Sequence, residues 1–427
     1  MLTSISGDVQ QTTSYKVVLP FYIYAAISFL LACSLLLIHT DIIHQHYFHP
    51  QTLAITHIMA LGWGTMIILG ASHQLLPVLI EGKLDSYLLA HLSFWFCAIG
   101  IPMLLFGFYT FNTGWPLQIG AVLINIGIIC YVVNVIASAL KSKKINVHTW
   151  YMMVASCWLF ATTGLGLLLV FNFSQSILPK DSLSYLSLHA HLGLLGWFLL
   201  LVIGVGSRLI PMFLISKYTN TKLLWWIFAL VNIGLLSFII IKCLEIDKMY
   251  YYISIACIFI ALFLFLFYCK SAYKVRIRKN VDEQMKTSLL SVVQMLFPII
   301  ALLVSLLWLP NGKNYQLVLM YGFSFFFGWI TAIILGMTFK TLPFIVWNKI
   351  YHHRAQAGKT PVPKELFSER IYAIMLIAYL LGFIIFILGI IFSINWLLKI
   401  GALSLLMAAL LYVLNTGIIL LHQPHKK

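Results

Sequence analysis

The chain is 427 residues long and 62% hydrophobic, with only 9% charged residues and a formal net charge of +16. Soluble domains are about 45–50% apolar and about 25% charged, so a water-soluble globular fold is excluded, and disorder, which needs low hydrophobicity, is excluded with it. The 27 basic residues are too few and too scattered for nucleic acid; in a polytopic membrane protein they mark loops held in the cytoplasm.

A helix needs about 20 apolar residues to cross the hydrocarbon core. In chain order twelve runs qualify, at 17–39, 52–80, 84–110, 116–140, 147–172, 185–216, 222–244, 249–270, 287–309, 315–347, 370–393 and 396–421. The first lacks the small-residue cleavage site of a secretory signal, and strand-like alternation for a barrel is absent. Counted by loop, 22 basic residues fall on one side, among them Lys141, Lys143, Lys144, the run Lys270 to Lys286 and the stretch Lys340 to Arg370. The other side holds five, Lys180, Lys242, Lys248, Lys313 and Lys399. This asymmetry predicts both termini in the cytoplasm of a bacterial inner-membrane protein. The seven cysteines lie in or at the ends of spans without Cys-x-x-Cys-His or zinc-ribbon spacing, so they are read as packing residues.

One motif recurs three times. The second span reads His57, Gly62, Trp63, Gly70, Pro77; the sixth reads His191, Gly196, Trp197, Gly204, Pro211; the tenth reads Phe323, Gly328, Trp329, Gly336, Pro343. In every copy the second Gly is 7 and the Pro 14 residues beyond the Trp, and the copies are offset by 134 and 132 residues. A weaker echo matches Tyr131 and Asn134 to Tyr412 and Asn415. Such periodicity predicts one membrane domain, 1–427, of three four-helix units at about 17–140, 147–270 and 287–421, related by an axis along the membrane normal. The glycines serve helix packing, since small residues permit close approach.

Ionisable residues within a membrane are functional candidates. His57 and His191 hold the same repeat position, and the motif predicts one shared depth for them. His189 and His191 are two apart and point about 200° from one another, so they address two flanks of one helix. The alternative, histidines bonded to helix carbonyls for structure alone, stays open. His73 lies 16 residues beyond His57, about 24 Å along the helix at about 1.5 Å per residue, and belongs to no shared site. His91 and His148 are expected at the interface, and His352, His353, His422 and His425 in solvent. The outer loop with His39, Asp41, His44, His46 and His49 is rich enough in ligands to bind copper or zinc transiently, or is a solvated polar loop. Arg208, about 25 Å from His191 along its helix, and Lys340, at the equivalent position, are expected to snorkel to lipid phosphates.

The phrase His189-Ala-His191-Leu-Gly-Leu-Leu-Gly196-Trp197 resembles the His-x-His helix of C-type cytochrome c oxidases. Twelve spans in three four-helix units are similar to heme-copper oxidase subunit I and to the NnrS-type heme- and copper-containing membrane proteins of nitric oxide metabolism. The resemblance implies heme b with His57 and His191 as axial ligands and His189 available to a second centre. It also implies electron-donor or respiratory partner subunits. The chain departs from the oxidase pattern in carrying His-x-His on the sixth helix rather than the tenth, in having Phe323 at the expected His, and in a seventh span without His. A conventional copper centre is therefore not expected. None of the eleven acidic residues lies mid-span, which argues against a carboxylate proton relay.

Two readings follow. The first is a b-type heme protein for electron transfer or for nitric oxide or dioxygen handling, with heme-dependent oxidoreductase activity left open. The second is a polytopic transporter, or a copper-handling or assembly protein, that keeps the fold without heme chemistry.

Overall fold

The computed structural model describes residues 13–142, 145–308, 315–351 and 360–424. Of the residues named above, Lys143, Lys144, Lys313, His352, His353 and His425 lie outside that range. Among the described residues the fold is all helical, apart from one isolated antiparallel bridge.

Twelve helices among the described residues are long and apolar enough to cross a membrane. They are α1 (Tyr15–Ile38), α2 (Pro50–Leu79), α3 (Tyr87–Tyr109), α4 (Trp115–Leu140), α5 (Val147–Gln175), α6 (Ser182–Leu214), α7 (Thr221–Cys243), α8 (Lys248–Lys274), α9 (Glu283–Val304), α10 (Tyr315–Tyr351), α11 (Glu369–Phe392) and α12 (Asn395–Leu420). Their ends fall within a few residues of the apolar runs, because a hydrocarbon-length stretch must satisfy its backbone internally.

Local chemistry sets the ends. Ser86, Asn220 and Ser368 stand immediately before the helical residues of α3, α7 and α11, accepting from the backbone N–H of Leu89, Leu223 and Ile371 at 3.2, 3.0 and 3.3 Å. Each satisfies a donor that the first turn leaves orphaned. The α9 helix breaks at Met295, because Pro298 has no N–H for the Gln294 carbonyl.

The chain divides into two compact units, one of Ser72–Val281 with the segment up to Val17, the other of Val18–Ala71 with Asp282–Lys427. In the first, α3 and α4 meet through glycine. A Cβ at Gly120 would lie 2.5 Å from the Leu104 nitrogen and 2.8 Å from the Gly100 carbonyl oxygen. Asn134 on α4 then clamps the start of α3, accepting from Ser86 N at 3.0 Å and donating to Ser86 O at 2.9 Å. The second unit repeats this device. A Cβ at Gly401 of α12 would fall 2.7 Å from the Phe386 nitrogen of α11, and Asn415 brackets Ser368 at 2.9 and 3.1 Å. The Asn134 and Asn415 echo thus marks one and the same clamp.

The second motif glycine is where each motif helix meets the first helix of its four. A Cβ at Gly70 would reach Phe21 of α1, at Gly204 Tyr151 of α5, and at Gly336 Ser288 of α9, at 2.6, 2.4 and 2.4 Å. Trp63, Trp197 and Trp329 are 0%, 1% and 2% exposed, so the Gly–Trp pairs are packing features.

The motif prolines leave carbonyls bare four residues back. Thr13 Oγ1 donates to the His73 carbonyl at 2.5 Å and Tyr268 Oη to the Ser207 carbonyl at 3.0 Å, as backbone groups without water require. Tyr268→Phe is expected to lower the unfolding free energy by about 1–2 kcal/mol, read as a lower midpoint in detergent unfolding.

Candidate functional site

Every motif helix is α, then π, then α. The π segments are Ile58–Thr65 in α2, Leu192–Leu199 in α6 and Ser324–Ile330 in α10. They begin directly after His57, His191 and Phe323, which hold the same repeat position in the three copies. A π turn spaces its hydrogen bonds five residues apart, is rare, and is found frequently at functional sites.

In the unit of Val18–Ala71 and Asp282–Lys427, His57 closes the first α segment of α2, Pro50–His57. Its Nδ1 faces the Leu53 carbonyl at 2.8 Å. A carbonyl only accepts, so Nδ1 carries the proton and the neutral ring's lone pair sits on Nε2. Six residues on, the Trp63 ring stacks on Phe29 at 4.5 Å and donates from Nε1 to Thr331 Oγ1 at 3.1 Å. Tyr412 meets the Trp63 ring edge-on at 5.1 Å and shares a 3.1 Å hydrogen bond with Thr338.

His191 repeats the arrangement in the other unit, its Nδ1 donating to the Ser187 carbonyl at 2.7 Å. Its ring lies against Phe238, centroids 4.7 Å apart, beside a cluster of Leu188, Leu192 and Leu235. His189 turns to α5, where its Nδ1 donates to the Thr162 carbonyl at 3.0 Å. A Cβ at Gly166 would lie 2.9 Å from His189 Cε1, so glycine makes room for that ring. His189 and His191 therefore bond to different partners, one on α5 and the other on their own helix. The sequence offers Gly164-x-Gly166 as a hint of a close approach on α5, but neither Thr162 nor Gly166 is legible as an imidazole partner without the fold.

In α10 the shared position is closed by carbon. The Phe323 ring stacks on Phe386 at 4.4 Å, Phe327 at 4.9 Å and Phe383 at 5.8 Å.

The remaining histidines separate. His73 is 1% exposed, its ring edge-on to Tyr131 at 5.5 Å. His148 bonds inside its unit, to the Gly204 carbonyl at 3.1 Å and Ser207 Oγ at 3.2 Å. His422 is not simply solvated; its Nε2 is 2.9 Å from Tyr351 Oη. In the outer loop, His44 Nδ1 accepts from Gln316 at 3.3 Å while its Nε2–H donates to Asn395 Oδ1 at 2.7 Å. His46 Nδ1 accepts the Phe48 N–H at 3.0 Å, and its ring lies 4.4 Å from Tyr315. Among the described residues no three His, Cys, Asp or Glu side chains gather as a metal would require.

Lys340 corrects the snorkelling expectation. It is paired with the Asp282 carboxylate, side chains 12% and 26% exposed, and the other Asp282 oxygen caps Met285 N at 3.0 Å. Half-sequestered from water, an ammonium gains more from a carboxylate than from reaching outward. Lys340→Met should cost about 2 kcal/mol of stability, measured as a shifted detergent-unfolding midpoint. Arg208, at the equivalent position, is exposed.

A solved chain of a heme-copper terminal oxidase dimer superimposes on this one with a TM-score of 0.67 at 10% sequence identity, covering 97% of this chain and 86% of that one. The fold is that of heme-copper oxidase subunit I. No protein-family model and no curated protein matches the sequence. With an oxidase-like fold, a neutral imidazole held through Nδ1–H with its Nε2 lone pair is the chemistry of a ligand to heme iron, whose other ring nitrogen donates to a carbonyl. His57 and His191 both fit a heme on that test.

Proposed function

We propose that this chain is a b-type heme-binding protein of the bacterial inner membrane, serving respiratory electron transfer or the handling of nitric oxide or dioxygen. The observation that carries this reading is the pair His57 and His191. At one repeat position, each gives its Nδ1 proton to the carbonyl four residues back and each stands at the threshold of a π segment.

In this reading His57 and His191 each offer Nε2 to heme iron, and His189 serves a second centre. Heme b supplies a one-electron iron couple when bound. The protein fixes the tautomer and ring plane of each ligand through the Leu53 and Ser187 carbonyls, which also makes the imidazole more basic toward iron. Phe238 and the leucines around His191 exclude water and so favour the less charged state of a redox centre. Phe323 and its stacked rings leave the third copy without a ligand. The distribution of 22 basic residues against five supports cytoplasmic termini, and the recurring glycine contacts and Asn clamps support three four-helix units.

The deciding measurement is an absorption spectrum of protein purified with heme available, oxidised and then dithionite-reduced. A b-type difference spectrum is expected. Protein with no Soret band would overturn the reading and favour a transporter or copper-handling role for the same fold.

A further inference from the structure

Two loops at one end of the unit Ser72–Val281 are tied together away from any histidine. The segment after α6 and the segment after α8 meet in an antiparallel bridge between Ser216 and Arg276. The Ile277 N–H also donates to the Ile215 carbonyl at 3.2 Å. Ile215 adopts φ 51°, a left-handed conformation that a β-branched residue rarely takes because it is strained. The strain places its carbonyl on the neighbouring loop while its side chain stays in the open.

These loops are basic without a compensating acid. Lys217 and Lys222 follow α6; Lys270, Lys274, Arg276, Arg278 and Lys279 end α8 and follow it; no Asp or Glu lies between 208 and 222 or between 270 and 281. Lys217, Lys222, Lys274 and Lys279 are exposed. Arg276 is held in place, its guanidinium 3.8 Å from the centroid of the Tyr273 ring, with Nη1 donating to the Tyr273 carbonyl at 2.8 Å. Large apolar side chains stand among the cations: Ile215 is 54% exposed, Val275 54% and Ile277 60%. In water such isoleucines would be a liability, whereas at the boundary of headgroups and acyl chains they insert while the cations meet phosphate.

We infer that the bridged loops form a binding surface for an anionic phospholipid, with Lys217, Arg276 and Lys279 on the headgroup phosphate and Ile215 and Ile277 among the acyl chains. Basic loops in general concentrate anionic lipid by charge alone. The bridge adds a fixed spacing and apolar anchors beside the charges, so retention here should exceed that at other basic segments of equal charge. The inference does not depend on heme.

The test uses the full chain, delipidated in detergent and then exposed to phosphatidylglycerol or phosphatidylcholine, with bound lipid counted by native mass spectrometry. The wild type should retain phosphatidylglycerol and not phosphatidylcholine. Lys217→Gln, Arg276→Gln and Lys279→Gln combined should weaken retention on the order of tenfold to a hundredfold at low salt. Lys349→Gln, Lys364→Gln and Arg370→Gln, the same charge change elsewhere, should leave it within about twofold of wild type. Lys217→Arg with Lys279→Arg should bind as wild type, which separates charge from a folding defect. Equal losses in the two Gln triples, or equal retention of both lipids, would overturn the inference. So would displacement of the lipid by inorganic phosphate at equal concentration, since the site would then be one for free phosphate.

Discussion

Replacing His57 or His191 with alanine is expected to abolish or nearly abolish a b-type difference spectrum, while His73→Ala leaves it intact. The contrast rests on geometry. His57 and His191 each have Nδ1 on the carbonyl four residues back and stand beside a π segment. His73 lies inside the last α segment of α2, 1% exposed and edge-on to Tyr131. An iron ligand cannot be replaced by a methyl group, and perturbing even the hydrogen bond behind such a ligand typically costs about 10–100-fold in affinity. Heme content per protein, by pyridine hemochromogen and the dithionite spectrum, reads the outcome. Stable His57→Ala and His191→Ala proteins with unchanged spectra would remove both residues from the ligand set.

Gly120→Ala is expected to be among the most damaging single-methyl changes in the chain, at about 3 kcal/mol or more. Its Cβ would lie 2.5 Å from the Leu104 nitrogen and 2.8 Å from the Gly100 carbonyl oxygen. Both are backbone atoms of α3, which no rotamer change can move, so α3 and α4 must separate and uncouple the Asn134 clamp on Ser86. Gly164→Ala is the internal control. Nothing lies within 4 Å of the Cβ it would gain, and alanine favours a helix over glycine by up to about 1 kcal/mol. Unfolding midpoints in one detergent should therefore fall for Gly120→Ala and hold or rise for Gly164→Ala; equal midpoints would refute the packing account.

The spans were legible because the bilayer imposes one rule on every residue of a crossing helix, and a run such as that of α11 can satisfy it in no other way. The triple motif was legible because Gly, Trp and Pro keep their spacing across 134 and 132 residues. The π segments were not, since the Gly–Trp pair inside Ile58–Thr65 and Ser324–Ile330 reads equally well as close packing in an α-helix. Lys340 shows the other limit. Its sequence position equals that of exposed Arg208, yet Asp282 is brought to it by the loop before α9, and only the fold reveals that neighbour. Histidine partners were hidden for the same reason: Leu53 and Ser187 offer backbone oxygen, and every residue has one.

Phe323 bears on how this chain can change. Where the other two motif helices keep an imidazole, α10 has a ring locked between Phe327, Phe383 and Phe386. A polar side chain is gained by one substitution only where its surroundings are open. Here four aromatic side chains on two helices pack on one another, so a histidine placed at 323 would bury an imidazole among hydrocarbon faces and demand several compensating changes at once. Position 323 is thus held to carbon by its neighbours as much as by its own place in the helix. Exchange of Phe323 for another apolar residue is expected to be tolerated far better than exchange for histidine.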